Sequence, residues 1–424
     1  MINKIRKFGL NTRNFSALSL NTFTSAIIQV TSIPLFLSFL SVNQYATWIF
    51  TFSFAQIAGL LDFGMVAAAQ NRFTFMKARE KTFEIKHNVF QMFMFQTAAI
   101  FLFNCVIFAL VKFQVLNINF PLLLVFTLSL FIQSCFGILE ATAQMHNQVH
   151  RGIHVSTFGR LSEHLGTILG VIFLKDSLTL IASLGLLFKL FSLLCRVPQI
   201  GYRARLKNLR IWDKHLLINQ LREGFPFLLI KTTDFLVFSG ILLVLEHKLD
   251  STNFIFLASC RTFFRLSLQF TQILNHTYAY EMTRAWSLND FNQMKYLIKR
   301  STKVTMLFSL IFAAFYLFFG IEIFALWTRE IINLSFSIML LGALYSVICS
   351  INQSQKIKFN SVNANYNLSW ILFIYSLIQL AFFAFFLDSQ IIEVLFSLIL
   401  LFEFLTMITI TGLGQKDLKA AFKL

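Results

Sequence analysis

Residues 196–223 read RVPQIGYRARLKNLRIWDKHLLINQLRE, the longest polar gap in the chain. Seven of these residues are basic: Arg196, Arg203, Arg205, Lys207, Arg210, Lys214 and Arg222. Apolar runs of membrane-spanning length flank the gap on both sides. Before it lie 15–40, 44–69, 88–111, 120–144, 153–174 and 178–195; after it lie 224–245, 252–279, 304–325, 333–352, 367–387 and 391–412. The basic stretch therefore divides twelve spans six and six.

The remaining charge follows the same division. Of 36 Lys and Arg, 27 fall at the termini or in every second gap, while the alternate gaps hold only Lys112, Lys175, Lys248 and Arg329. Lys and Arg collect in short loops on the cytoplasmic side. This pattern predicts a polytopic membrane protein with an even span count and both termini in the cytoplasm. Two halves of equal span number and equal orientation suggest a parallel repeat about an axis along the membrane normal. The expected architecture is all-α, about twelve transmembrane helices in two six-helix bundles around a central cavity. The expected domains are 1–205, a basic cytoplasmic linker 206–223, and 224–424.

Composition agrees. The 424 residues are 57% hydrophobic and 13% charged, with mean hydropathy +0.69. A net charge of +17 on a soluble face would point to nucleic acid; in cytoplasmic loops it meets anionic lipid headgroups. Nucleic acid is excluded as a partner, and membrane lipid is expected. The first span is too long for a signal-peptide core and lacks a small-residue cleavage site, so it reads as an uncleaved helix. Cys105, Cys135, Cys195, Cys260 and Cys349 all fall in spans without a C-x-x-C, which suggests packing residues and no metal site or disulfide framework. No cofactor is expected. The external gaps are short and no Walker A, H-E-x-x-H or G-x-S-x-G motif occurs, so the chain reads as a non-enzyme whose working parts lie within the membrane.

Five basic residues break the loop rule by lying inside spans: Arg160, Lys189, Lys231, Arg261 and Arg265. Arg261 and Arg265 are four apart on span eight and share a helix face with Gln269 and Gln272. Two central arginines cost roughly 5–7 kcal/mol to insert, and the Phe, Ile and Leu of the span return about 3–7. Such a stripe must face water, partners or an anionic ligand. The structural alternative is pairing with carboxylates on other helices, for which Asp62, Glu140, Glu163 and Asp234 are the candidates.

Span five places Arg160, Glu163 and His164 together, and a local Arg160–Glu163 pair is the plain reading. In span seven Lys231 and Asp234 are three apart, which suggests a self-contained ion pair. Lys189 is expected to snorkel toward the cytoplasmic interface. Span one carries Asn21, Ser25 and Gln29 along one side ahead of Pro34, a pattern suited to a bending helix beside a wet cavity, or to helix–helix hydrogen bonding. Candidate ion-coupling groups are Asp62, Glu163, His164 and Asp234.

Four stretches carry a family resemblance: "IPLFLSFLS" at 33–41, "YATWIFTFSFAQIAGLLDFGMVAAAQNRF" at 45–73, "REGFPFLLI" at 222–230 and "FALWT" at 324–328. Together with the two six-span halves they resemble the multidrug/oligosaccharidyl-lipid/polysaccharide (MOP) exporter superfamily, and within it the polysaccharide and O-antigen flippase branch. Ala46 after Tyr45 departs from the Tyr-Gly usual in that turn. The resemblance implies alternating access and translocation of undecaprenyl-diphosphate-linked oligosaccharides across the bacterial inner membrane, by a functional monomer that works beside other polysaccharide-assembly membrane proteins.

Guanidinium forks bind phosphate oxygens bidentately. On the flippase reading, Arg261 and Arg265 at mid-depth, with Arg160 and Lys231 nearer the cytoplasm, would form a stepped path for the diphosphate. The competing reading is a small-molecule or multidrug exporter of the same superfamily, which would favour intramembrane carboxylates over excess positive charge. A membrane-embedded glycan polymerase or ligase would need a large external loop, and a major facilitator transporter would carry a Gly- and Asp-rich motif between spans two and three. Neither feature is present.

Overall fold

The computed structural model describes residues 2–78, 84–145, 149–196, 214–330, 334–361, 366–386 and 392–421. Among the described residues, each of the twelve apolar runs lies mostly on helix. Span one is α1 (Ile2–Phe39). Span two is divided into α2 (Val42–Ala55), a 3-10 turn (Gln56–Leu60) and α3 (Met65–Ala78). Spans three to six are α4 (Glu84–Lys112), α5 (Phe120–Met145), α6 (Val149–Phe173) and α7 (Leu178–Arg196). Span seven comprises α8 (Lys214–Phe235), one π turn (Leu236–Gly240) and α9 (Ile241–Leu245). Spans eight to twelve are α10 (Ser251–Ser287), α11 (Phe291–Thr328), α12 (Phe336–Ser361), α13 (Tyr366–Phe386) and α14 (Ile392–Ala421).

Among the described residues, nine helical segments are long and apolar enough to cross a membrane. The three runs left out are span two, which is broken, and spans five and eight, whose interiors carry Arg160–His164 and Arg261–Gln269. The cysteines are unpaired; Cys260 and Cys349 are buried, whereas Cys105 and Cys195 are exposed on helix surfaces rather than packed inside.

The chain forms two compact units. Unit 1 contains Met1–Ala17 and Thr47–Phe235, and unit 2 contains Leu18–Ala46 and Leu236–Leu424. By contact, most of α1, from Leu18 on, groups with the later helices, and α8 with the earlier ones. Of the expected linker, residues 214–223 are already α8, and 206–213 lie outside the described residues.

The break in span two has a local cause. Asp62 Oδ1 accepts from the Gly64 amide at 2.9 Å, and Phe63 and Gly64 take φ of 50° and 72°. Gly64 then sits directly on α8: a Cβ there would lie 2.2 Å from the Gly224 carbonyl oxygen and 2.6 Å from the Leu228 nitrogen. A Cβ on Gly224 would in turn meet the Phe63 carbonyl oxygen at 2.6 Å. Only paired glycines allow this backbone approach.

Candidate functional site

In unit 2 the two arginines of α10 differ in setting. Arg261 is 7% exposed and donates through Nη2 to the carbonyl oxygen of Val237, while its Nη1 has no hydrogen-bond partner. Val237 lies in the π turn, a local widening of the helix often found at functional positions. Arg265, one helical turn on, is exposed and stacks over Phe238 from the same π turn, 3.9 Å from ring centroid to guanidinium carbon. The Arg261 guanidinium lies 5.8 Å from that ring. The split in span seven thus positions both cations, one through a backbone carbonyl and one through a π face.

The electrostatic neighbours of Arg261 are Tyr345, Arg265, Cys349 and Glu403. Glu403 is held on α14 by Asn352, whose Nδ2 donates to its Oε2 at 2.8 Å and to Thr406 Oγ1 at 3.0 Å. Glu403 and Phe238 are the residues that sequence reasoning missed; "FEF" in span twelve was the available signal for an acid at mid-span. Gln269 is buried with its Oε1 unpartnered, and Gln272 is half-buried. The face Arg261–Arg265–Gln269 therefore offers donors, one acceptor and a net positive charge.

Between these residues the α10 backbone is opened by a side chain. The Tyr316 hydroxyl donates to the Phe263 carbonyl at 2.9 Å and accepts from the Ser267 amide at 3.3 Å. Those two groups are i and i+4, so the hydroxyl is inserted into the helix ladder, a recognised source of bending.

Unit 1 holds a separate set of charges, and here two expectations change. Lys231 makes its ion pair with Asp62, on the broken span, and not as a self-contained pair within span seven; Asp62 is 4% exposed. The Gly64–Gly224 crossing brings these two together. Lys189 does not snorkel. It is 2% exposed, pairs with Glu163 Oε2 at 2.7 Å, and donates to Ser129 Oγ at 2.9 Å and the Ser129 carbonyl at 3.0 Å. Glu163 therefore answers Lys189, and Ser129 also donates to its other oxygen.

Arg160 lies electrostatically between Glu140 and Glu163, while Glu140 accepts from Ser156. The close approach of α6 and α7 explains the Lys189 contact. A Cβ at Gly166 would come within 2.7 Å of the Leu184 carbonyl oxygen, and one at Gly185 within 2.5 Å of Thr167 Oγ1. His164 is half-buried beside this cluster, and Asp234 lies a turn beyond Lys231.

The polar side of α1 is largely answered by its own helix: Ser25 donates to the Asn21 carbonyl at 2.9 Å. Gln29 keeps a buried, unpartnered Oε1. A cavity of about 10 Å³ in unit 1, lined by Arg72, Asn88, Gln220 and Glu223 among others, has room for about one water and no more. Among the described residues no group of three or more His, Cys, Asp or Glu could hold a metal ion.

No protein-family model and no curated protein matches the chain. Solved structures share its fold. A multidrug-resistance MATE transporter of the MOP superfamily, in an outward-facing conformation, aligns with TM-score 0.74 at 15% identity, covering 98% of this chain and 96% of that one. A MOP-superfamily transporter from Pyrococcus furiosus, described by the reverse polarity of its binding pocket, aligns with TM-score 0.74 at 12% identity over 98% and 96%. A MATE transporter from Vibrio cholerae gives 0.73 at 13% over 97% and 98%. The chain has the fold of these twelve-helix transporters.

Proposed function

We propose that this protein translocates undecaprenyl-diphosphate-linked oligosaccharides from the inner to the outer leaflet of the bacterial inner membrane by alternating access, supplying O-antigen or another surface polysaccharide. One observation carries the reading: Arg261, buried in the middle of span eight, holds a guanidinium nitrogen without a partner beside the exposed Arg265. A buried donor left unmade is costly, and an anionic oxygen is the ligand that would satisfy it most strongly. Gln269, Gln272, Asn21, Ser25 and Gln29 are the polar groups assigned to the sugar.

Arg160 and Lys231 already face carboxylates of unit 1, so their part is proposed as coupling rather than first capture of the diphosphate. A proton on Asp62 or Glu163 would release Lys231 or Lys189 from its partner, and His164 and Asp234 stand next to these pairs. The protein is expected to act as a monomer, with both termini in the cytoplasm, alongside other polysaccharide-assembly membrane proteins.

The second reading is a multidrug or other small-molecule exporter. It is favoured by the shared fold with a multidrug-resistance transporter and by the carboxylates Asp62, Glu140 and Glu163. The reverse polarity described for the Pyrococcus furiosus protein supports the view that this fold carries pockets of differing charge. Deleting the gene distinguishes the two. Loss of surface glycan with accumulation of lipid-linked oligosaccharide on the cytoplasmic side supports the flippase; intact glycan with altered drug tolerance supports the exporter.

A further inference from the structure

A second basic cluster lies at the cytoplasmic end of unit 1. His150 and His154 are one turn apart on α6, with ring centroids 6.5 Å apart at 81°. Arg151 and His154 are exposed, as is Arg13 on α1. Both Arg13 and Arg151 belong to the gaps that the charge pattern assigns to the cytoplasm, and the apolar run of α6 begins only at Ile153. His150 is half-buried, and its Nδ1 is shielded from solvent without a hydrogen-bond partner.

We propose that Arg13, His150, Arg151 and His154 form a binding site for the phosphate of an anionic lipid headgroup in the cytoplasmic leaflet. The plain alternative is a solvated positive-inside face. Such a face leaves its histidines open to water and needs no specific partner. Among the described residues, the groups acting on His150 are Arg151 and His154 from its own helix and Arg13 from α1, with no carboxylate among them. Burial first, and then Arg151, His154 and Arg13, hold the imidazole below its usual range. These surroundings disfavour the imidazolium form of His150.

A phosphate would offset the cations and accept from the imidazolium. Its binding must raise the His150 titration. By linkage, the affinity gained is full below the empty-site value and is lost as pH rises through the occupied-site value. Juxtamembrane Arg clusters attract anionic lipid in just this zone. The proposal does not rest on the flippase reading and holds for any exporter of this fold.

The test is a histidine titration by NMR on the full chain in nanodiscs of phosphatidylcholine, alone or mixed with phosphatidylglycerol. His215, exposed at the start of α8, serves as the reference cytoplasmic histidine; His150→Gln and His215→Gln assign the signals. The expected result is a rise at His150, relative to His215, of about one pH unit in the anionic discs, equivalent to tenfold in affinity. Arg13→Gln with Arg151→Gln should remove that excess while leaving the His215 shift in place. Equal shifts at both histidines would reduce the cluster to general surface potential and overturn the site. The same rise produced by inorganic phosphate in phosphatidylcholine discs would overturn the lipid assignment.

Discussion

The indole Nε1 of Trp327 donates a hydrogen bond to the carbonyl oxygen of Val30, 2.6 Å away and four residues before Pro34. Proline has no N–H, so the carbonyl at i−4 loses its helical donor. Trp327, buried at the end of α11, supplies the missing donor from another helix of unit 2. Trp327→Phe keeps the ring and removes the donor, and should destabilise the protein by about 1–2 kcal/mol. Pro34→Ala restores a backbone N–H to Val30, so Trp327→Phe in that background should cost far less. A thermal-unfolding double-mutant cycle in detergent reads the coupling; additive effects would show that the indole N–H does not serve this carbonyl.

The Gly64–Gly224 contact is the corresponding joint in unit 1. Gly64→Ala adds a Cβ against backbone atoms at 2.2 and 2.6 Å and also pays for a φ of 72°. Overpacking and left-handed strain together should cost about 3 kcal/mol or more. Gly224→Ala meets the same backbone from the other side at 2.6 Å. Both variants should lose most of their monodisperse yield on size exclusion, whereas Gly59→Ala, with nothing within 4 Å, should behave as the parent.

These two joints show how far the chain could be read in advance. The twelve helices were legible because apolar run length and the alternation of Lys and Arg are properties of consecutive residues. The four stretches behind the family resemblance were also visible, but not the joints formed at them: Trp327 with the Val30 carbonyl that Pro34 leaves without a donor, and Gly64 with Gly224. Long-range contact decided the charges as well. Asp234 looked like the partner of Lys231 because it is three residues away, yet Asp62 is brought to Lys231 by a glycine crossing that spacing does not reveal. Lys189 looked free to snorkel until the α6–α7 glycines brought Glu163 and Ser129 against it. Arg261 and Arg265 were identifiable as costly within one helix, whereas the π turn that holds them, and Glu403 on α14, depend on how span seven and span twelve fold.

Lys189 is the charge whose removal should matter most to stability. Removing one partner of a buried pair strands the other, at a cost of about 3–5 kcal/mol. Lys189→Met should therefore be strongly destabilising, and Glu163→Gln likewise, because Lys189 is 3% exposed at its side chain. Combining Lys189→Met with Glu163→Gln leaves no stranded charge and should recover about 1–3 kcal/mol relative to the sum of the single changes. A snorkelling lysine would show a small effect in every arm of the same thermal-shift series.

The two arginines of α10 should separate by function. On the proposed reading Arg261 bonds Val237 with one arm of its fork and offers the other to the diphosphate, which a lysine point charge does not reproduce. Arg261→Lys should therefore weaken inorganic pyrophosphate binding to the purified protein nearly as much as Arg261→Gln, by roughly 10- to 100-fold if one charge-assisted hydrogen bond is lost. Arg265 is exposed and held by stacking on Phe238, so Arg265→Lys keeps its charge in place and should retain more binding than Arg265→Gln. Glycan export in cells should fall in the same order. If Arg261→Ala and Arg265→Ala insert and fold normally but leave both pyrophosphate binding and export unchanged, the diphosphate does not pass along this face of α10, and the flippase reading loses the observation that carries it.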